Sequence, residues 1–130
     1  MPVHSTGVDI TDISRISDLI ERLGDRFLKR VFTDAEIRYC NSKAAPPQSY
    51  AARFAAKEAV FKAVGTGLVK GFSWHDIEVV NDEAGKPIIQ LYHKTARLLA
   101  GKRLHLSLSH TNKLAIAMVV VEDHPQPTPK

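Results

Sequence analysis

Glu58 stands where a charge needs a reason. The stretch Tyr50-Ala51-Ala52-Arg53-Phe54-Ala55-Ala56-Lys57-Glu58-Ala59-Val60-Phe61-Lys62-Ala63-Val64 is rich in alanine and long unbranched side chains. These favour helix, and with Ser49 as N-cap and Gly65 and Gly67 as stops they predict one from about Tyr50 to Val64. At 3.6 residues per turn Glu58 falls beside Phe54 and Phe61 rather than among solvated charges. The ordinary partner for a carboxylate there is Lys62, four residues on in the favourable Glu-before-Lys order. The company suggests a second reading. Arg53, Lys57 and Lys62 lie within two or three turns of Glu58, and Gly65-Thr66-Gly67 follows, a turn whose backbone N–H groups suit phosphate oxygens. One acid among cations beside a glycine turn is the pattern of a metal-bridged phosphate.

The elements that must position these groups are legible by period. Tyr50, Phe54 and Phe61 form one stripe of the long helix and Ala52, Ala56, Ala59 and Ala63 the other, so both faces are expected to be buried. Before it, Val3 to Ile10 reads as a short strand with Asp9 at its end, where the ordinary role of an aspartate is to cap the next helix. That helix carries Ile13, Ile16, Ile20 and Leu23 inward and Arg15 and Arg22 outward, and stops at Gly24. A second, from about Asp25, buries Phe27, Leu28, Val31 and Phe32 and presents Arg26, Lys29 and Arg30. Thr33 and Glu36 form a capping box, and Asn41 to Gln48, with Pro46-Pro47, reads as a loop.

Beyond Gly71 the period becomes alternating. Ile77 to Val79 and Ile88 to Tyr92 flank the turn Asn81 to Pro87, which predicts a hairpin. Lys94 to Ala100 reads as a short helix, Arg103 to Ser109 and Leu114 to Glu122 as strands, and residues 123–130, proline-rich, as a disordered tail. His110, after an alternating strand, is ordinarily a turn residue.

Length and composition bound the rest. A chain of 130 residues with 44% hydrophobic content suits one domain. No apolar run approaches the ~20 residues of a membrane span and Met1 to Thr6 lacks a signal-peptide core, which predicts a cytoplasmic protein with no membrane partner. Cys40, the single cysteine, has no partner for a disulfide and is expected to be half-buried. Lys and Arg number 18 against 14 Asp and Glu, so the partner is anionic. The aromatics fall within apolar patterns, which ranks an acidic protein above nucleic acid.

Three segments, in order, carry a resemblance. Phe54-Ala55-Ala56-Lys57-Glu58-Ala59 with Lys62-Ala63-Val64-Gly65-Thr66-Gly67, Gly7-Val8-Asp9-Ile10 and Leu106-Ser107-Leu108-Ser109-His110-Thr111 together resemble the holo-[acyl-carrier-protein] synthases, the small bacterial 4′-phosphopantetheinyl transferases. The match covers residues 1 to about 122 as one transferase domain. It implies Mg²⁺-dependent transfer of the phosphopantetheine arm of coenzyme A to a serine of an apo acyl carrier protein, as in fatty acid biosynthesis, leaving adenosine 3′,5′-bisphosphate. Under it Asp9 and Glu58 are the metal ligands, and Glu58 and Lys62 the catalytic pair. Arg53, Lys57, Lys62, Gly65, Thr66, Gly67, Ser109, His110 and Thr111 meet coenzyme A. Arg15, Arg22, Arg26 and Arg30, otherwise a solvated basic face, meet the acidic carrier, with Arg15 and Arg26 foremost. The general base stays open between Glu58 and a water on the metal, and the carrier between fatty-acid and polyketide synthesis.

The expected fold is α+β, an antiparallel sheet packed on the long helix. In the last strand Ala115, Ala117, Val119 and Val121 alternate with Leu114, Ile116, Met118 and Val120, so both faces are apolar. Helices on one side of a single sheet leave the other face to a second subunit, which accords with the trimer that the resemblance implies; the alternative is a central strand whose second face the short helix at Lys94 to Ala100 covers. The competing reading is a non-catalytic module whose basic face holds an acidic protein.

Overall fold

The computed structural model describes residues 2–65 and 72–123. Strand β1 (Val3–Asp12) leads into four helices, α1 (Ile13–Leu23), α2 (Asp25–Val31), α3 (Asp34–Asn41) and α4 (Pro46–Val64). A 3-10 turn (Trp74–Asp76) opens the hairpin β2 (Ile77–Asn81) and β3 (Pro87–Leu91), followed by α5 (His93–Leu98), β4 (Lys102–His110) and β5 (Leu114–Asp123). The strands make two antiparallel sheets, a three-stranded one in the order β1-β5-β4 and the β2-β3 hairpin. The fold is α+β, with the larger sheet packed on α4 as expected.

Helix α4 is the axis of the core. Its alanines let neighbours approach closely, and Tyr50, Phe54, Val60 and Phe61 fill the space between them. Its C-terminal half packs on Ala117, Val119 and Val121 of β5, and its N-terminal half on Ile16, Phe27 and Leu28 of the first two helices and on Phe32 just after them. Both faces are thus buried, as the two stripes required.

The helix begins four residues before the expected start. Pro46 and Pro47 are its first turn, not a loop, and Ala45 rather than Ser49 holds the N-cap position. Proline suits that turn, because the N–H it lacks would have no helical partner there and its φ is already helical. At the other end Gly65 adopts φ 88°, the left-handed stop that glycine accommodates without strain. The capping box forms as read, with the Thr33 hydroxyl accepting from Glu36 N–H and the Glu36 carboxylate from Thr33 N–H.

Two further expectations are corrected. Strand β1 runs on to Asp12, because pairing with β5 continues to Leu114, so Asp9 lies within the strand and does not cap α1. Cys40 is fully buried, and burial pushes its thiol up to about 12. Strand β5 also takes in Asp123, against the expectation that the tail starts there; residues 124–130 and the pair Thr66 and Gly67 lie outside the described residues.

Candidate active site

Period two places Gly7, Asp9 and Thr11 of β1 on the face turned toward α4. Gly7 sits directly on the helix, where a Cβ would lie 1.9 Å from the Ala59 carbonyl oxygen. Strand and helix therefore touch backbone to backbone, which only a residue without a side chain permits. Two residues on, Asp9 comes alongside the last turns of α4, and the Lys62 ammonium bonds both its Oδ1 at 3.0 Å and the Val8 carbonyl at 3.1 Å. The other Asp9 oxygen, Oδ2, accepts the Thr11 hydroxyl at 2.7 Å. The sequence expectation gives Thr11 no part in the site, although the i, i+2 spacing on a strand is enough to put it on the same face as Asp9.

Glu58 is half-buried and, among the described residues, makes no hydrogen bond or ion pair. Lys62 is engaged by β1, not by Glu58. Burial raises the Glu58 carboxyl above its ordinary value, the Asp9 carboxylate raises it further, and Lys62 and Arg15 oppose them. Two acids brought together, one of them without a direct partner, leave negative charge that a hard cation neutralises. Among the described residues no group of three or more His, Cys, Asp or Glu gathers to hold a metal. Two carboxylates still suit Mg²⁺, which is bound by one or two of them together with substrate phosphates.

Lys57 and Arg53 are placed elsewhere. Lys57 is wholly buried, and its ammonium meets Glu36 Oε1 at 2.8 Å, the Trp74 carbonyl at 3.0 Å and the Ile77 carbonyl. Those contacts use every N–H of the ammonium, so the expectation of a phosphate contact is corrected to a structural role for Lys57. Glu36 takes part on both oxygens, Oε2 accepting Val79 N–H at 2.8 Å, and the pair ties α3, α4 and β2 together. Arg53, also buried, lies 3.9 Å from the Tyr39 ring centroid and donates to Asn81 Oδ1 at 2.8 Å. Its Nε has no partner among the described residues.

Ser109 and His110 are exposed at the end of β4, and the Thr111 hydroxyl accepts from the N–H groups of Lys113 and Leu114 to close the turn. Ile116 of β5 pairs with both Ile10 and Ser109, which sets the 109–111 segment two strands, roughly 10 Å, from β1. Ser109 alternates with the buried Leu106 and the half-buried Leu108, so it faces away from α4, opposite in sense to Asp9. Within one chain this segment and the carboxylate pair do not converge.

The four expected carrier arginines are all exposed. Arg15, Arg26 and Arg30 rim a groove of about 320 Å³ floored by Leu19, Leu23, Phe27, Phe54 and Trp74. Arg22 lines a neighbouring depression of about 780 Å³ with Asp12, Asp18 and Glu21, and Arg15 reaches into both. Arg15 also stacks 5.9 Å from the Phe54 centroid, one turn before Glu58. The basic face and the carboxylate pair are thus adjacent.

Over most of its length the chain resembles known proteins. The profile of the 4′-phosphopantetheinyl transferase superfamily matches residues 5–119. The chain is similar to the holo-[acyl-carrier-protein] synthase of Koribacter versatilis, 51% identical over 93% of this chain and 99% of that one. It is 49% identical to that of Geobacter metallireducens over 92% and 98% of the two chains. Among solved structures, Helicobacter pylori holo-[acyl-carrier-protein] synthase in complex with coenzyme A superposes with a TM-score of 0.81 at 35% identity, covering 90% of this chain and 99% of that one. The Bacillus anthracis synthase in complex with CoA (3′,5′-ADP) gives 0.78 at 37% identity, over 93% and 97%.

Proposed function

Because this chain belongs to the 4′-phosphopantetheinyl transferase superfamily, we propose that it moves the phosphopantetheine arm of coenzyme A to a serine of an apo acyl carrier protein, in the cytosol. The carrier serine hydroxyl gives its proton to a general base and its oxygen bonds the phosphorus bearing the pantetheine arm, while the bond from that phosphorus to the bridging oxygen breaks and adenosine 3′,5′-bisphosphate leaves with that oxygen. The observation that carries this reading is Glu58, half-buried without a direct partner beside Asp9. Those two carboxylates would hold Mg²⁺, which neutralises charge on the diphosphate when bound. Lys62, exposed at the end of α4, is the chain's own cation for the phosphates. Arg15, Arg26 and Arg30 orient the acidic carrier over the apolar groove, next to Glu58.

The coenzyme site is completed by a second copy in a homotrimer. Val8, Ile10 and Met118 are 54%, 61% and 49% exposed on the face of the large sheet opposite α4, a continuous apolar strip that another subunit covers. That packing gives Ser109, His110 and Thr111 a route to the carboxylate pair of a neighbouring chain. Gly65, with Thr66 and Gly67 outside the described residues, keeps its proposed place at the nucleotide. Light scattering at assay concentration is expected to give about three times 14.4 kDa.

The decisive experiment is transfer of labelled coenzyme A to an apo acyl carrier protein, with and without Mg²⁺. Labelled carrier formed only with the metal is expected. If no carrier is labelled while the protein still binds it, the non-catalytic module remains, and coenzyme A with Mg²⁺ would then leave the melting temperature unchanged.

A further inference from the structure

Resting on the assignment of Asp9 and Glu58 as the metal's carboxylates, we infer that Lys62 is a tethered competitor for the metal, seated on Asp9 until a phosphate draws it away. The two oxygens of Asp9 are held by unlike means. Oδ2 accepts from Thr11, whose side chain is buried on the inner face of β1 and has nowhere to go. Oδ1 accepts from Lys62, whose side chain is 53% exposed and hangs from the last turn of α4 on a flexible stem. One bond is fixed and the other exchangeable.

Helical spacing alone offers Lys62 to Glu58, and the ammonium is bonded across to β1 instead. An ammonium and a divalent ion are both positive, so at one carboxylate they repel each other and compete for its charge. Entry of the metal therefore weakens the hold of Lys62 on Asp9, and the weakened ion pair lowers the affinity for metal alone. Phosphate oxygens give the ammonium a charge-assisted partner in exchange. Metal and nucleotide then help each other through one side chain, and linkage makes the benefit equal in both directions. Lys62 is in this sense a positioning residue before it meets phosphate: it keeps Asp9 neutralised and makes loading cooperative.

The test compares Mn²⁺ affinity, read from the electron paramagnetic resonance of the free ion, in the parent and in Lys62→Met. The exposed position of Lys62 lets the variant fold, and a circular dichroism melt checks it. Lys62→Met is expected to bind Mn²⁺ alone about tenfold more tightly. Saturating adenosine 3′,5′-bisphosphate should tighten Mn²⁺ on the parent about tenfold and on the variant less than about twofold. Arg15→Gln removes a cation that acts on Glu58 but bonds neither carboxylate, and is expected to change Mn²⁺ affinity by less than about threefold. Unchanged or weaker Mn²⁺ binding by Lys62→Met, while Asp9→Asn and Glu58→Gln each abolish it, overturns the competitor role and leaves the metal site standing. An equal gain from Arg15→Gln also overturns it, since a general field would suffice. Mn²⁺ binding indifferent to Asp9→Asn and Glu58→Gln overturns the metal assignment and this inference with it.

Discussion

A methyl group on Gly7 would stand 1.9 Å from the carbonyl oxygen of Ala59, and 2.9 Å from the Ala63 nitrogen one turn later. This contact sets the spacing between the strand that carries Asp9 and the helix that carries Glu58 and Lys62. The obstacle is backbone, so no side chain can swing aside to admit the extra atom. Gly7→Ala is expected to lose about 1–3 kcal/mol in urea unfolding as the strand is pushed off the helix. Transfer measured on the folded fraction should fall as well, because the Asp9–Lys62 geometry opens. A Gly7→Ala protein as stable as its parent would show that this approach is not what seats the site.

Lys57 tests a different kind of buried charge. Its ammonium is lowered from the ordinary lysine range by burial, partly offset by Glu36, and it neutralises a carboxylate that is itself 1% exposed. Lys57→Met strands Glu36 in the core, and an uncompensated buried charge costs about 3–5 kcal/mol. Adding Glu36→Gln to that variant should restore part of the loss, because the amide carries no net charge. The apparent affinity for coenzyme A, measured on folded protein, should stay within about twofold of the parent for the double variant. A larger loss there would return Lys57 to the phosphate site.

The contrast between Lys57 and Lys62 shows how far the sequence could be read. Both are lysines on one helix, both flank Glu58, and propensity treats them alike. The helix itself, the hairpin and the capping box are local patterns, and they were legible. Which lysine is inside depends on where β2 and α3 arrive: Glu36 and the Ile77 carbonyl lie 21 and 20 residues from Lys57 and cannot be inferred from helical spacing. The Asp9–Lys62 bond spans 53 residues, and the resemblance brought its two ends to one site without showing that they touch. The start of α4 is ambiguous for a local reason, since Pro46-Pro47 is equally a loop signal and a first-turn signal. The full burial of Cys40 is not legible locally, because it depends on how α3 packs against α4.

Glu58 carries a pH signature. Its carboxyl lies above the ordinary 4.5 because of burial and the neighbouring Asp9 carboxylate. A carboxyl whose folded pKa exceeds its unfolded value binds more protons folded than unfolded between the two, so stability falls as pH rises through that window and stays lower above it. Glutamine does not ionise. Glu58→Gln should therefore melt higher than the parent at neutral pH without added metal, and the gap should close below about pH 4, where both forms are neutral. Mg²⁺-dependent transfer should fall at least about 100-fold in the same variant. A variant that loses stability at pH 7 would mean that the ionised carboxylate is held by a favourable partner.

Substitutions at Arg15 and Arg26 would separate the proposed carrier docking from the chemistry, because the two residues share one groove but not the same surroundings. Both rim the apolar floor formed with Phe27 and Phe54, and an acidic partner would meet both. Only Arg15 also acts on the Glu58 carboxyl, opposing the rise caused by burial and Asp9. Arg26→Glu should lower kcat/KM for the carrier about tenfold through association, with a weaker dependence on salt than the parent, and leave the KM for coenzyme A within about twofold. Arg15→Glu should lower kcat/KM for the carrier as well and, by placing a third carboxylate near Asp9 and Glu58, also change the Mg²⁺ requirement. Steady-state rates at two ionic strengths, with carrier and Mg²⁺ varied in turn, distinguish the two variants. Equal losses for carrier and coenzyme A in Arg26→Glu would place the carrier somewhere other than this groove.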